Sequence, residues 1–173
     1  MDKIDKNNFW LWAHADFLSN AQRGILAEYI VGTALNCLKE KRLEWDAYDL
    51  VTDSGIKVEV KSAAYLQSWE QNKLSEIRFD IGQKKSWFAE TNKYNNVCER
   101  SADIYVFSVL AEKDRNIIDP LNLKQWFFMV LSSKTINSKF GKQKTVGLST
   151  LENLGVRRLA FEELKAEIEI GNG

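Results

Sequence analysis

Histidine and cysteine are nearly missing from this chain, which has one histidine, His14, and two cysteines, Cys37 and Cys98, in 173 residues. The cysteines lack CxxC spacing, so a zinc site or a histidine-based catalytic triad has almost no raw material. An excess of either charge is missing as well. Lys plus Arg (24) equals Asp plus Glu (24), so global charge does not advertise a polyanionic partner. Long apolar runs are absent too, and the start, Met1 to Lys6, lacks the apolar stretch of a signal peptide. A cytoplasmic protein with no membrane partner is therefore expected. There are no internal repeats, low-complexity linkers, helix-turn-helix or zinc-finger modules. What is present is ordinary for a globular chain: 45% hydrophobic and 28% charged residues. One domain spanning residues 1–173, long enough to bury a proper core, is the expectation.

Residues 1–18 hold Phe9, Trp10, Leu11, Trp12, Phe17 and Leu18, too apolar for a free tail, and read as a short helix or arm packed on the domain. His14 in that segment reads as a packed or surface residue. Ser19 followed by Gln22 has the form of a capping box opening a helix over about 20–40, ending in the basic run Lys39, Lys41, Arg42. Its apolar stripe includes Ile25, Leu26, Ile30, Ala34 and Leu35. Glu28 borders that stripe, and a carboxylate there should face something positive or sit at an ordinary amphipathic edge. Gly24 and Gly32 would let the helix backbone approach a sheet closely.

Residues 48–61 read as a β-hairpin turning at Asp53-Ser54-Gly55. Side chains alternate across a strand, so the pairing register decides which residues share a face. A two-residue loop would set Asp49 beside Val60 and Leu50 beside Glu59. A three-residue loop with Gly55 in the left-handed position sets Asp49 beside Glu59 and Leu50 beside Val58. The second sorts the chemistry: Tyr48, Leu50, Val58 and Val60 form an apolar face, while Asp49, Glu59 and Lys61 share the other. Two neighbouring carboxylates repel unless a hard divalent cation lies between them.

Farther on, an alternating strand is predicted at 76–81, a second helix at 83–99 broken near Asn95-Asn96, and strands at 102–110 and 125–131. Phe161, Leu164 and Ile168 predict a closing amphipathic helix. The window 132–144 contains Lys134, Lys139, Lys142 and Lys144 and no acid. It reads either as a solvated, mobile surface loop or as a set of phosphate-holding donors, with Arg157-Arg158 as a further contribution to that rim.

An acid on one strand, then acid-x-lysine on the next, entered from a helix bearing a glutamate, resembles the PD-(D/E)xK nuclease superfamily of restriction-endonuclease-like fold. The matching residues are Asp49, Glu59-Val60-Lys61 and Glu28, with Tyr48 standing where the family has a loosely kept proline. The resemblance covers about residues 20–131 and implies an α/β fold. Its mixed sheet would be flanked by helices in an αβββαβ core, with an extra strand and a C-terminal extension over 132–173. It implies a metal-dependent nuclease of restriction, defence or repair type, with DNA, or else RNA, as partner. Asp49, Glu59 and Lys61 would be catalytic. Asp49, Glu59, the Val60 carbonyl and Glu28 would hold Mg²⁺, for which Mn²⁺ can substitute. Lys61 would orient or deprotonate a water or neutralise the transition state. The alternative is a non-catalytic member of the fold that binds nucleic acid or a partner. Gln67, in the loop 62–72, joins the four lysines as a nucleic-acid-binding candidate, and double-strand cutting would favour a homodimer.

Overall fold

The computed structural model describes residues 3–42, 46–85, 87, 88, 91–94 and 96–171. Helix α1, Lys6–Ala13, is capped by Asp5, whose carboxylate accepts the Asn8 N–H at 2.7 Å. Helix α2, Asn20–Leu35, begins as its capping residue predicts, with Ser19 Oγ accepting the Gln22 N–H at 3.3 Å. It stops earlier than expected. Asn36 turns left-handed at φ 55° and ends the helix, so Lys39, Lys41 and Arg42 lie beyond it. At Gly32 a Cβ would run into the Leu38 side chain and approach Leu50, so a close contact is present there, whereas a Cβ on Gly24 would meet nothing within 4 Å and the close approach expected at that position is absent.

The main sheet is built from β1 (Leu50–Val51), β2 (Lys57–Ala64) and two later strands. Before those come β3 (Arg78–Asp80), β4 (Trp87–Phe88) and β5 (Lys93–Tyr94), and then β6 (Ile104–Leu110) and β7 (Trp126–Ser132). The order is β1-β2-β6-β7, with β2 and β6 parallel and both outer pairs antiparallel. This is the expected α/β class with a mixed sheet flanked by helices. All seven residues of β6 are buried, as a strand covered on both faces must be.

The rest of the chain supplies α3 (Ser133–Phe140), β8 (Thr145–Gly147), α4 (Leu148–Asn153) and α5 (Leu164–Gly171). One sheet face packs on α2 and α5 through Ala27, Val31, Val58, Val106, Phe128 and Ile168. The other packs Phe107 and Met129 against Phe79, Ile136, Val146 and Leu151 from β3, α3, β8 and α4. Each fully buried Leu, Ile or Phe contributes about 1.5–3 kcal/mol, so these two layers hold the fold. Among the described residues no helix is long and apolar enough to cross a membrane.

Four further expectations are corrected. No residue of α1 is buried, and Trp12 is 81% exposed, so within 1–18 the helix does not fill the core, and it is Leu18 beyond it that packs against the α2 side. Its five consecutive apolar residues point around the helix, leaving no single stripe to bury. Among the described residues of 83–99, strand pairing stands in place of a helix: Trp87 pairs with Tyr94, Phe88 with Lys93, and Lys84 bridges Glu99. Aromatic residues favour strands, and Asn92 at φ 53° supplies the turn; Asn95, at the expected break, lies outside the described residues. Third, β3 leaves the main sheet to pair antiparallel with β8. Fourth, much of the basic window is helix α3, capped by Ser132, whose Oγ accepts the Thr135 N–H at 3.2 Å.

The β1–β2 turn follows the three-residue register. Leu50 faces Val58, Thr52 N–H reaches Ile56 O at 3.0 Å, and Gly55 takes φ 84°. A Cβ on Gly55 would meet nothing within 4 Å, so its cost is purely conformational. Gly55→Ala should lower stability by about 1 kcal/mol, read as a shifted denaturation midpoint at unchanged m. No shift would mean the turn relaxes out of the left-handed region.

Candidate active site at the sheet edge

Strand alternation places the first two groups. Val58, Val60 and Ala64 of β2 enter the core shared with α2, so Glu59 and Lys61 face the opposite side. Lys61 Nζ donates to Glu59 Oε1 at 2.5 Å, and both side chains are largely shielded, at 19% and 16% exposure. A straight ladder would next put Asp49 opposite Glu59. The chain instead kinks there: Asp49 donates its N–H to Val58 O at 3.1 Å, while its Oδ2 accepts the Val60 N–H at 2.7 Å. The carboxylate thus takes a place that a backbone carbonyl would fill in the ladder. A strand residue aims its N–H and C=O at the same neighbour, so the Val60 carbonyl faces this edge as well.

The kink also moves Tyr48. It packs in the second core layer, with Lys57 Nζ 5.4 Å from its ring centroid, so the apolar face keeps Leu50, Val58 and Val60 but loses Tyr48.

Electrostatics tie the residues together. Burial, and then the charges of Glu59 and Glu28, push the Asp49 carboxyl up to about 7, against the pull of the Val60 N–H and Lys61. Burial alone would lower the Lys61 pKa, but the charge and hydrogen bond of Glu59, with Asp49 and Asp80, raise it above its ordinary value. Lys61 is therefore a cation at neutral pH. Glu28, 14% exposed on α2, is clasped by Arg42 through Nε at 2.5 Å and Nη2 at 2.7 Å. Two acids thus have a cationic partner, and Asp49 has a backbone amide. Among the described residues no three His, Cys, Asp or Glu side chains converge closely enough to chelate an ion by themselves.

Asp80, Tyr105 and Arg42 also belong to this neighbourhood, without a motif that marks them. Asp80 ends β3, accepts the Gly82 N–H at 2.9 Å and pairs with Lys84 at 3.1 Å. Burial alone would raise its carboxyl, but these donors and Lys61 hold it below the usual range. Tyr105 lies beside Glu59 in the parallel register, and burial followed by the Glu59 charge raises its hydroxyl pKa. Strand alternation marks Asp80 as outward-facing, yet no local signal says that β3 passes near Lys61.

The basic candidates divide. Lys134, Lys139, Lys142 and Lys144 are exposed along α3 and the turn to β8. Ile81 N–H bonds Lys144 O at 2.8 Å, which brings that turn beside Asp80. Gln67 is buried, at 8% exposure; its Nε2 donates to Ala64 O and Ser75 Oγ and its Oε1 accepts from Arg23. Its side-chain amide is engaged in bracing the fold. Arg157 pairs with Glu163 and Glu167, and Arg158 with Glu152, so both are committed within the C-terminal region.

Over residues 12–150 the sequence matches the family described as Bacteriophage T4 endonuclease IV. The chain belongs to this family. The stretch shared with the T4 endonuclease IV family contains Glu28, Asp49, Glu59, Lys61, Asp80 and Tyr105, as well as the four lysines of the basic window. Membership in an endonuclease family supports a nuclease activity. No curated protein matches the chain.

Proposed function

We propose that this protein is a metal-dependent endonuclease of PD-(D/E)xK type that hydrolyses phosphodiester bonds of DNA. The observation that carries the reading is Asp49, a repelled and mostly buried carboxylate, meeting the Glu59–Lys61 pair at one sheet edge within an endonuclease family.

The donor set fits a hard cation. Mg²⁺ in phosphate chemistry is commonly held by one or two carboxylates, with water and phosphate oxygens completing the shell. Asp49 and Glu59, with the Val60 carbonyl, would hold it, and Glu28 adds negative potential from α2. When bound, the ion polarises a phosphoryl oxygen and lowers the pKa of a bound water, and Mn²⁺ can serve in its place. Lys61, charged and anchored by Glu59, stabilises negative charge gathering on the phosphate. A lysine with a raised pKa is a poor proton acceptor at neutral pH, so the electrostatic role is favoured over that of base. Lys134, Lys139, Lys142 and Lys144 would hold flanking phosphates without reading bases.

The test is incubation with supercoiled plasmid, linear duplex, single-stranded DNA and RNA in Mg²⁺ or Mn²⁺, with calorimetry for metal binding. DNA cleavage in Mg²⁺ that stops on adding EDTA is expected. Cleavage persisting in EDTA removes the metal from the proposal, and RNA cleavage without DNA cleavage replaces the substrate. One observation favours a second reading, a non-catalytic nucleic-acid-binding member: Glu28 and Glu59 are already paired with Arg42 and Lys61. DNA binding without cleavage or metal uptake would establish it.

A further inference from the structure

We infer that the cavity between α1, α2 and the segment leading into β1 is a nucleobase site, seating one unstacked base beside the bond to be cut. Its relation to a cut bond rests on the nuclease reading; its affinity for a base rests on its lining alone. The cavity has a volume of about 410 Å³, within the usual range for small-ligand sites. Its walls include Trp10, Tyr29, Leu38 and Leu50, and Glu28 and Asp49 lie in the same lining. Lys39 and Lys41, both exposed, belong to it as well.

The mixture of groups narrows the ligand. Trp10 and Tyr29 are 54% and 59% exposed, so they are not core residues that happen to border a gap. A purely apolar ligand would strip water from Asp49 and from the Glu28–Arg42 ion pair, which also lies in the lining, at a cost. A free phosphate would meet those two carboxylates. A basic peptide would suit the acids but not Lys39 and Lys41. A nucleotide has flat apolar faces for Trp10 and Tyr29, N–H donors on its base for Asp49, and phosphates for Lys39 and Lys41. Asp49 belongs both to this lining and to the proposed catalytic group, so of the two phosphates flanking a base seated here, one would lie toward Asp49 and the other toward Lys39 and Lys41. The base would come from a single strand or be extruded from a duplex.

The experiment uses the full chain and a labelled DNA oligonucleotide, single-stranded and as a duplex, on which the cut is first mapped. Each nucleotide flanking the cut is then replaced singly by an abasic one. For wild type, one replacement should lower kcat/KM by about 5- to 150-fold, the range for losing one base–aromatic stack. That penalty should shrink toward none in Trp10→Ala/Tyr29→Ala, and persist in Trp10→Phe/Tyr29→Phe. Circular dichroism melts confirm folding, which these exposed positions should tolerate. Cleavage with equal abasic penalties in wild type and double-alanine protein overturns the base site and leaves the nuclease reading standing. No cleavage, but anisotropy binding with the same base-dependent coupling, keeps the base site and removes the nuclease reading. Neither cleavage nor binding removes both. A dimer in sedimentation that Trp10→Ala dissolves assigns the face to a second copy of the chain and overturns the proposal.

Discussion

Lys61→Ala should cut DNA about 10²–10³-fold more slowly than wild type, the usual effect of removing one group that stabilises transition-state charge. Lys61 is held at 2.5 Å by Glu59, 19% exposed and with its pKa raised, so it delivers a fixed positive charge where solvent screening is weak. A general-base role predicts something different. Arginine keeps the charge but cannot accept a proton, so Lys61→Arg separates the two roles. Activity in Lys61→Arg clearly above that of Lys61→Ala supports charge stabilisation; equal loss in both supports proton transfer. Truncation also leaves Glu59 without its partner beside Asp49, so Lys61→Ala should be less stable by about 1–3 kcal/mol. Rates must therefore be compared well below the melting temperature of each variant. A Lys61→Ala protein that is folded and cuts like wild type would place the chemistry elsewhere.

The hairpin was legible because local rules agreed there. Gly55 could serve a three-residue turn, and only that register sorted Leu50 and Val58 from Glu59 and Lys61; the structure has that turn and that pairing. Tyr48 departs from the expected face because strand alternation assumes an unbroken ladder, and the ladder breaks where the Asp49 side chain replaces backbone. Glu28 bordering the buried face was read from periodicity, but its clasp by Arg42, fourteen positions along the chain, depends on a turn that periodicity does not specify. The run 83–99 failed because it contains two short aromatic strands with no long alternation. Gln67 looked like a surface reader from its polar loop, yet the buried Arg23 guanidinium draws it inside. Asp80 and Tyr105 join the site through strand pairings across the chain, which no short window contains.

Asp49→Asn should stabilise the metal-free protein while stopping its cleavage. Burial and two neighbouring acids raise the Asp49 carboxyl from 3.8 to about 7, so the folded state holds a proton that the unfolded state releases. The sign follows from that difference. The Asp49 contribution to stability falls as pH rises from about 4 to about 7 and is flat above, by about 1–3 kcal/mol once solvent relaxation is allowed for. Asparagine keeps the amide oxygen that accepts the Val60 N–H but carries no charge, so the variant should lack that fall. Denaturation midpoints should coincide near pH 4 and separate toward pH 7, with Asp49→Asn the more stable. Mg²⁺ should narrow the gap by raising the wild-type midpoint more than the variant's, because binding to the folded state alone stabilises it by mass action. A variant less stable than wild type at pH 7 would show the carboxylate to be stabilising as it stands, and equal Mg²⁺ shifts in both proteins would remove Asp49 from the metal site. If both results come out as expected, the fold tolerates a destabilising charge at the position where the proposed chemistry needs one.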